Sequence, residues 1–321
     1  MAATERADAD TLVARPSLRS LVDDLHERRE RAREGGGAER IERQHAAGKL
    51  TARERLALLI DKGTFTELGI HARPHFSQRS MEGRDAPADG VITGYGKVDG
   101  RLVAVAAYDF TVMAGSMGMS GELKVTRLRD LALQKRIPMV WLLDSAGARI
   151  QEAAGSLFAG SGHLFREEVI MSGVVPQVAA LMGPCAAGTA YIPGLADFVP
   201  MVKGRGSMAL AGPHLTKAVT GEDVTQEELG GSRVHTRVSG VGDLEVDSDE
   251  DCIAAIKDYL SYMPENCEQP PPLRESAEAL GLSRLETLRI VELPLAAPMI
   301  ARPLPRFCTF VTSTIYAVAD G

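Results

Sequence analysis

The sequence predicts an α/β fold: a sheet covered on both faces by helices, with a helical arm ahead of it. Three observations carry this. The segments PMVWLLDS (138–145) and VPQVAALM (175–182) are apolar throughout instead of alternating, as strands buried on both faces are. They alternate with helical stretches, ELKVTRLRDLALQK (122–135) before the first and AGARIQEA (146–153) after it, through turns rich in Gly and Ala. And a chain of 321 residues, 45% of them apolar, has the material for a sizeable core, which excludes disorder, collagen and a disulfide-stapled miniprotein.

Taken in order, the first sixty residues read as two helices. In the first, Leu18, Leu21, Val22 and Leu25 recur at i, i+3, i+4 and i+7 and form one apolar stripe. The charges that follow, Arg28, Arg29, Arg31 and Arg33 interleaved with Glu27, Glu30 and Glu34, read as a solvated face, and GGG at 35–37 interrupts the pattern. The second helix opens on Thr51 and Glu54 at capping-box spacing, runs through Leu56, Leu58, Leu59 and Ile60, and stops at Gly63. Residues 1–63 are therefore expected to be an arm rather than a domain. From residue 64 the run GVITGYGKVDGRLVAVAAYDF is rich in β-formers, and Asp99-Gly100 supplies a type I′ turn for a hairpin. Gly94, Gly96 and Gly100 lack the spacing of a dinucleotide fingerprint. After Asp247 a further helix puts Cys252, Ile256, Tyr259 and Leu260 on one face, acids at its N-terminus, and ends near Pro264.

Charge and cysteine usage narrow the function classes. The 43 acidic against 36 basic residues leave −7, which argues against nucleic acid, so a polyanionic ligand must meet local arginines and lysines. Cys185, Cys252, Cys267 and Cys308 form no CxxC pair, and the first ten residues are no secretory signal; a reducing cytoplasm fits. The uncharged run 169–196 is long enough for a membrane but holds Pro176, Pro184 and Pro193, so it reads as buried core. There is no GxSxG, HExxH, P-loop or Cys/His ligand cluster, the seven histidines are scattered, and no metal site is expected. What remains are two turns, Asp144 to Arg149 and Gly183 to Gly188, whose small residues would let a ligand approach backbone N–H groups able to stabilise an oxyanion. Tight helix–sheet packing wants the same small residues.

At these turns a resemblance enters. GKLTARERLALLID (48–61), YDFTVMAGSMG (108–118), LLDSAGARIQE (142–152), SGVVPQVAALMGPCAAGTAYIP (172–193) and AVTGEDVTQEELGGSRVHTRVSGV (218–241) together resemble the β subunit of biotin-dependent acyl-CoA carboxylases, the carboxyltransferases of propionyl-CoA and acetyl-CoA carboxylase. The resemblance runs from about residue 18 to 268 and covers the family's N-terminal half. It implies a crotonase-like α/β domain over 64–268 that holds acyl-CoA. Biotin, carried on a separate carrier protein, would enter beside a C-terminal half of a neighbouring protomer, and the freed ureido nitrogen would take the α-proton, so that no protein base is required. The implied oxyanion hole falls on Ala187 and Gly188. The implied acyl-CoA channel falls on Ala114, Gly115 and Ser116 and on Ser145, Ala146, Gly147, Ala148 and Arg149. Ala114, Ala146 and Ala187 stand where the propionyl type has Gly. A Gly-to-Ala change keeps the N–H group and is unstrained unless the site needs φ > 0, while each methyl would narrow the channel.

The same resemblance implies partners: a biotin carboxylase or biotin carrier subunit, and either a homo-oligomer or a separately supplied C-terminal half. Residues 269–321 resemble nothing in that half. They open on QPPPLR, crowd prolines at 294, 298, 303 and 305, and end in the uncharged FCTFVTSTIYAV. The expectation is a tail that does not continue the native fold, as after truncation or a frame shift. Two further readings stand beside the carboxylase: a non-catalytic fragment or assembly partner, and a biotin-dependent acyl-CoA decarboxylase subunit running the same half-reaction in reverse.

Overall fold

The structure, a computed structural model, describes residues 17–74, 79–152 and 162–270. Three helices come first: α1 (Leu18–Arg33), α2 (Ala38–Ala46) and α3 (Ala52–Leu59). The sequence reading gave two, because the GGG break and the mixed charges of AERIERQHA hid α2, which starts on Gly37 at φ +86° with no side-chain cap. The capping box at α3 is present in both directions, Thr51 accepting from the Glu54 N–H and Glu54 from the Thr51 N–H. The α1 stripe is not covered, Leu18 being 79% exposed.

The sheet follows: β1 (Thr66–Leu68), β2 (Val91–Val98), β3 (Arg101–Tyr108), α4 (Met119–Lys135), β4 (Met139–Ser145), α5 (Gly162–Met171), β5 (Gln177–Ala186) and the short α6 (Tyr191–Leu195). Then come β6 (Pro200–Val202), β7 (Ser207–Ala209), α7 (Pro213–Thr220), α8 (Gln226–Gly230), α9 (Ser232–Val234), β8 (Leu244–Val246) and α10 (Asp249–Tyr262). Strand order is β1-β2-β3-β4-β5-β6-β8, with β7 also paired to β5. The first three strands are antiparallel, and every pairing from β3 onward is parallel. Asp99 and Gly100, at φ +48° and +82°, make the expected hairpin turn.

Alternate residues of the central strands feed two cores. Ala104, Ala106, Trp141, Leu143, Ala179 and Leu181 pack under α4 and α5, while Val103, Val105, Val140, Leu142, Val178 and Ala180 pack under α3 and α10. This is why the strand segments read as unbroken apolar runs. From α3, Leu56, Leu59 and Ile60 lie in the second core, and Cys252, Ile256 and Leu260 of α10 join them, as the sequence spacing requires.

Two expectations are corrected. No helix forms at 146–152: Gly147 is left-handed at φ +93°, Ala148 bridges to Met117, and Arg149 points inward to full burial, so the segment stays an irregular loop. Residue 153 lies outside the described residues. Strand β5 runs on to Ala186 instead of turning at 183, because β7 pairs with Pro184, Cys185 and Ala186. The expectation for the tail falls, from residue 271 on, outside the described residues.

Candidate active site

The β4–β5 ladder shifts register where β4 ends. Leu143 faces Leu181 but Ser145 faces Cys185, so two extra residues of β5 lie opposite Asp144. Such irregularities re-aim side chains beside functional sites. The Asp144 carboxylate lies against Gly183, where any Cβ would collide with it. It is fully buried and collects Lys49 Nζ at 2.9 Å, Arg55 at 3.0 Å and the Gln44 amide at 2.8 Å. Arg55 reaches on to Asp249 at 2.8 Å and to the Met182 carbonyl at 3.1 Å. Through Asp144, therefore, α2 and α3 are tied to the strand end that launches the loop 145–152.

That loop interlocks with the segment 113–117. The Ala146 N–H donates to the Ala114 carbonyl at 2.9 Å, the Ser145 hydroxyl to the Gly115 carbonyl at 2.7 Å, and the Met117 N–H to the Gly147 carbonyl at 2.8 Å. Gly115 and Gly147 are obligatory here: a Cβ on the first would strike the Asp144 carbonyl and on the second would lie 3.2 Å from the Ala187 Cβ and clash with the Ala186 carbonyl. Gly188 lies beside Met117, whose terminal methyl would be 3.2 Å from an added Cβ. The structure thus gathers all three sequence motifs into one cluster.

Against this cluster opens a cleft of about 700 Å³. Ala114, Ser116, Ala146 and Ala148 form its floor, and Arg40, Arg43, Lys49 and Arg84 line it with positive charge. The other sequence candidates sit behind that lining. Gly115, Ser145 and Gly147 are buried beneath it, Arg149 is fully buried with its guanidinium held by protein groups, and Ala187 and Gly188 are half-buried and do not line the cleft. Ala187 and Gly188 open a 3₁₀ turn ahead of α6, and their N–H groups, as the first of the turn, precede its hydrogen-bond ladder. Ala187 is at φ +50° and Ala114 at +55°, so two of the three Gly-to-Ala positions do occupy left-handed backbone; Ala146 does not.

The sequence reading missed the cationic lining. Arg40, Arg43 and Ala47 recur at i, i+3 and i+7, a small-and-basic stripe on α2 that was legible once a helix was assigned there. No thiolate chemistry is available from Cys185, which burial pushes up to about 12. Among the described residues no group of three or more His, Cys, Asp or Glu is placed to hold a metal, and no helix is long and apolar enough to cross a membrane.

Residues 43–293 match the family model for the carboxyl transferase domain. The chain belongs to that family. It is 47% identical over 256 residues to the propionyl-CoA carboxylase carboxyltransferase subunit of Haloferax mediterranei, covering 80% of this chain and 49% of that one. It is 44% identical over 262 residues to the methylmalonyl-CoA decarboxylase α subunit of Veillonella parvula, covering 82% and 51%. Among solved structures, the transcarboxylase 12S hexamer with methylmalonyl-CoA and methylmalonic acid bound superposes with a TM-score of 0.77 at 40% identity, over 81% of this chain and 51% of that one. The chain thus spans about half the length of the curated relatives it matches, their N-terminal half. Its fold is the crotonase-like α/β fold of those subunits. Carboxyltransferases of this family use a carboxylated biotin on a carrier and an acyl-CoA.

Proposed function

We propose that this carboxyltransferase is the acyl-CoA-binding half of a biotin-dependent enzyme that moves a carboxyl group between biotin and the α-carbon of an acyl-CoA. The observation that carries the reading is the cleft, whose positive lining meets a floor of small residues from two interlocked motifs. Arg40, Arg43 and Arg84 suit the phosphates of the coenzyme, since guanidinium groups pair with phosphate by charge-assisted hydrogen bonds. Ala114, Ser116, Ala146 and Ala148 leave room for the pantetheine and thioester to pass. The amides of Ala187 and Gly188 would then stabilise the negative oxygen that develops on the thioester when the α-carbon is deprotonated or decarboxylated. When bound, biotin supplies or accepts the carboxyl group, and the residues of this chain act on the acyl-CoA side alone. On this reading no protein base is needed on that side.

The biotin side would come from a C-terminal half such as the matched relatives have beyond the aligned part, in a cytoplasmic complex with a biotin carrier. Titration of the chain with propionyl-CoA tests the reading: micromolar binding is expected, weakened about 10-fold or more when Arg40 and Arg43 are both changed to Ala, from the usual worth of charge-assisted hydrogen bonds. Absence of binding would overturn it. Carboxyl transfer is expected only after a C-terminal half is added; turnover by the chain alone would show that one half suffices. The decarboxylase direction is a second reading, favoured by the Veillonella relative, and the direction of net carboxyl transfer in the reconstituted reaction, onto an acyl-CoA or off its carboxylated form, separates the two.

A further inference from the structure

Two short segments of this chain wind the wrong way. Ala88, Asp89 and Gly90 have φ of +51°, +53° and +74°, and Met113, Ala114 and Gly115 have +48°, +55° and +60°. Each is a left-handed turn, and four of the six residues carry a Cβ. Left-handed backbone costs an L-residue roughly 1–2 kcal/mol. Something must hold both turns in place, and they lie where they matter, since Met113, Ala114 and Ser116 line the cleft.

One side chain reaches the first turn directly and the second through Ser116, the residue that closes it. Arg149 is fully buried, and its five N–H donors meet five acceptors. Nε donates to Ser116 Oγ at 3.2 Å. One terminal nitrogen donates to the Asp89 carboxylate and to Glu152 at 3.0 Å. The other donates to the Asp89 carbonyl at 3.2 Å and the Ser116 carbonyl at 2.8 Å. The two carboxylates have further work: Asp89 accepts the Gly121 N–H at 2.6 Å and Glu152 the Met119 N–H at 3.1 Å, both in the first turn of α4. Lys124, which burial lowers to about 8, props the first turn by donating to the Ala88 carbonyl at 2.8 Å. Gly90 and Gly118 complete the fit. A Cβ on Gly118 would collide with the guanidinium, and one on Gly90 would lie 3.3 Å from it.

We infer that Arg149 is a positioning residue that clamps the left-handed turns 88–90 and 113–115 together and so sets the floor of the acyl-CoA cleft. The cleft's occupant rests on the function proposed above; the clamp itself rests on the hydrogen bonds. Arginine is required because a planar fork can satisfy five acceptors on three residues at once, whereas a lysine ammonium is a point charge with three donors.

The test is Arg149→Lys in the full chain, read by hydrogen exchange and by ligand titration. Peptides spanning 86–91 and 112–118 are expected to exchange at least about 10-fold faster, with β4 and β5 unchanged, the loss of one or two buried charge-assisted hydrogen bonds. Propionyl-CoA should bind about 10-fold more weakly while adenosine 3′,5′-bisphosphate, which needs only the cationic lining, binds within about two-fold of before. Unchanged exchange in the two turns, or equal acceleration across β4 and β5, would overturn the clamp, as would equal losses for both ligands. If Arg149→Lys does not fold, Glu152→Gln takes its place, with a smaller acceleration of the same peptides expected and unchanged exchange overturning the inference. Failure of the unaltered chain to bind propionyl-CoA would overturn the occupant, and the exchange comparison would still decide the clamp.

Discussion

Two buried guanidinium centres lie along the inner face of helix α4, and they are built to different standards. At its N-terminus Arg149, reaching in from the loop, has all five donors engaged, with two carboxylates that each serve a second group. Further along, Arg129 pairs with Glu122 and Glu167, each at 2.6 Å, and lies 5.6 Å from the centre of the Trp141 ring. There the accounting fails. Among the described residues, Arg129 Nε, Glu122 Oε2, both Glu168 oxygens, Trp141 Nε1 and the Tyr108 hydroxyl find no hydrogen-bond partner. One cation faces three carboxylates, so burial pushes Glu168 up to about 8. The difference teaches where precision is spent. The saturated centre shapes the cleft, and the under-paired one only joins α4 and α5 to the sheet.

Three substitutions would break or sharpen this contrast. Asp89→Ala should have the largest effect, about 3–5 kcal/mol in denaturant unfolding, because it strips Arg149 of one of two counter-ions in a buried site and uncaps α4. Glu122→Ala should cost clearly less, since Glu167 and Glu168 remain near Arg129; equal costs would erase the distinction.

The second effect is pH-dependent and opposite in sign. Folded Glu168 keeps a proton that the unfolded chain releases near 4.5, so it removes stability progressively as pH rises from there through about 8. Glu168→Gln should therefore stabilise the protein by about 1–3 kcal/mol at pH 9, with the gain shrinking toward pH 5. A gain independent of pH would show that Glu168 is not the titrating group.

The smallest effect separates the three alanines of the site. Ala114→Gly and Ala187→Gly should each raise stability by about 0.5–1 kcal/mol, the relief of left-handed strain less the entropy cost of glycine. Ala146→Gly, outside that region, should lower it by about the same amount. Thermal midpoints of the three variants are the measurement, and three shifts of one sign would refute the assignment.

What the sequence made legible was whatever depends on neighbours in the chain. The Asp99-Gly100 turn, the Thr51–Glu54 box and the unbroken apolar runs of β4 and β5 are each written within a few residues, and the motifs at 114–116 and 145–148 converge because they flank strand ends. What stayed hidden depends on partners far away. Arg149 sits in a stretch that scores as helix, and only Asp89, Ser116 and Glu152 pull it inward. The left-handed turns use Ala and Met, residues that favour ordinary helices, so nothing local announced them. The basic lining of the cleft was masked by an arm whose charges looked like any solvated surface.

The Asp144 centre also sets an order on how the chain can become finished. Arg55 is made early, yet its second counter-ion, Asp249, lies 194 residues later. At roughly 5–20 residues per second on a ribosome, that gap is about 10–40 s of synthesis. Through that interval Arg55 has no complete partner set, and α3 has no α10 to share the second core with. The anchor at Asp144 can form first, but shortening the chain before Asp249 would cost α3 the second counter-ion of Arg55 and its core partner α10.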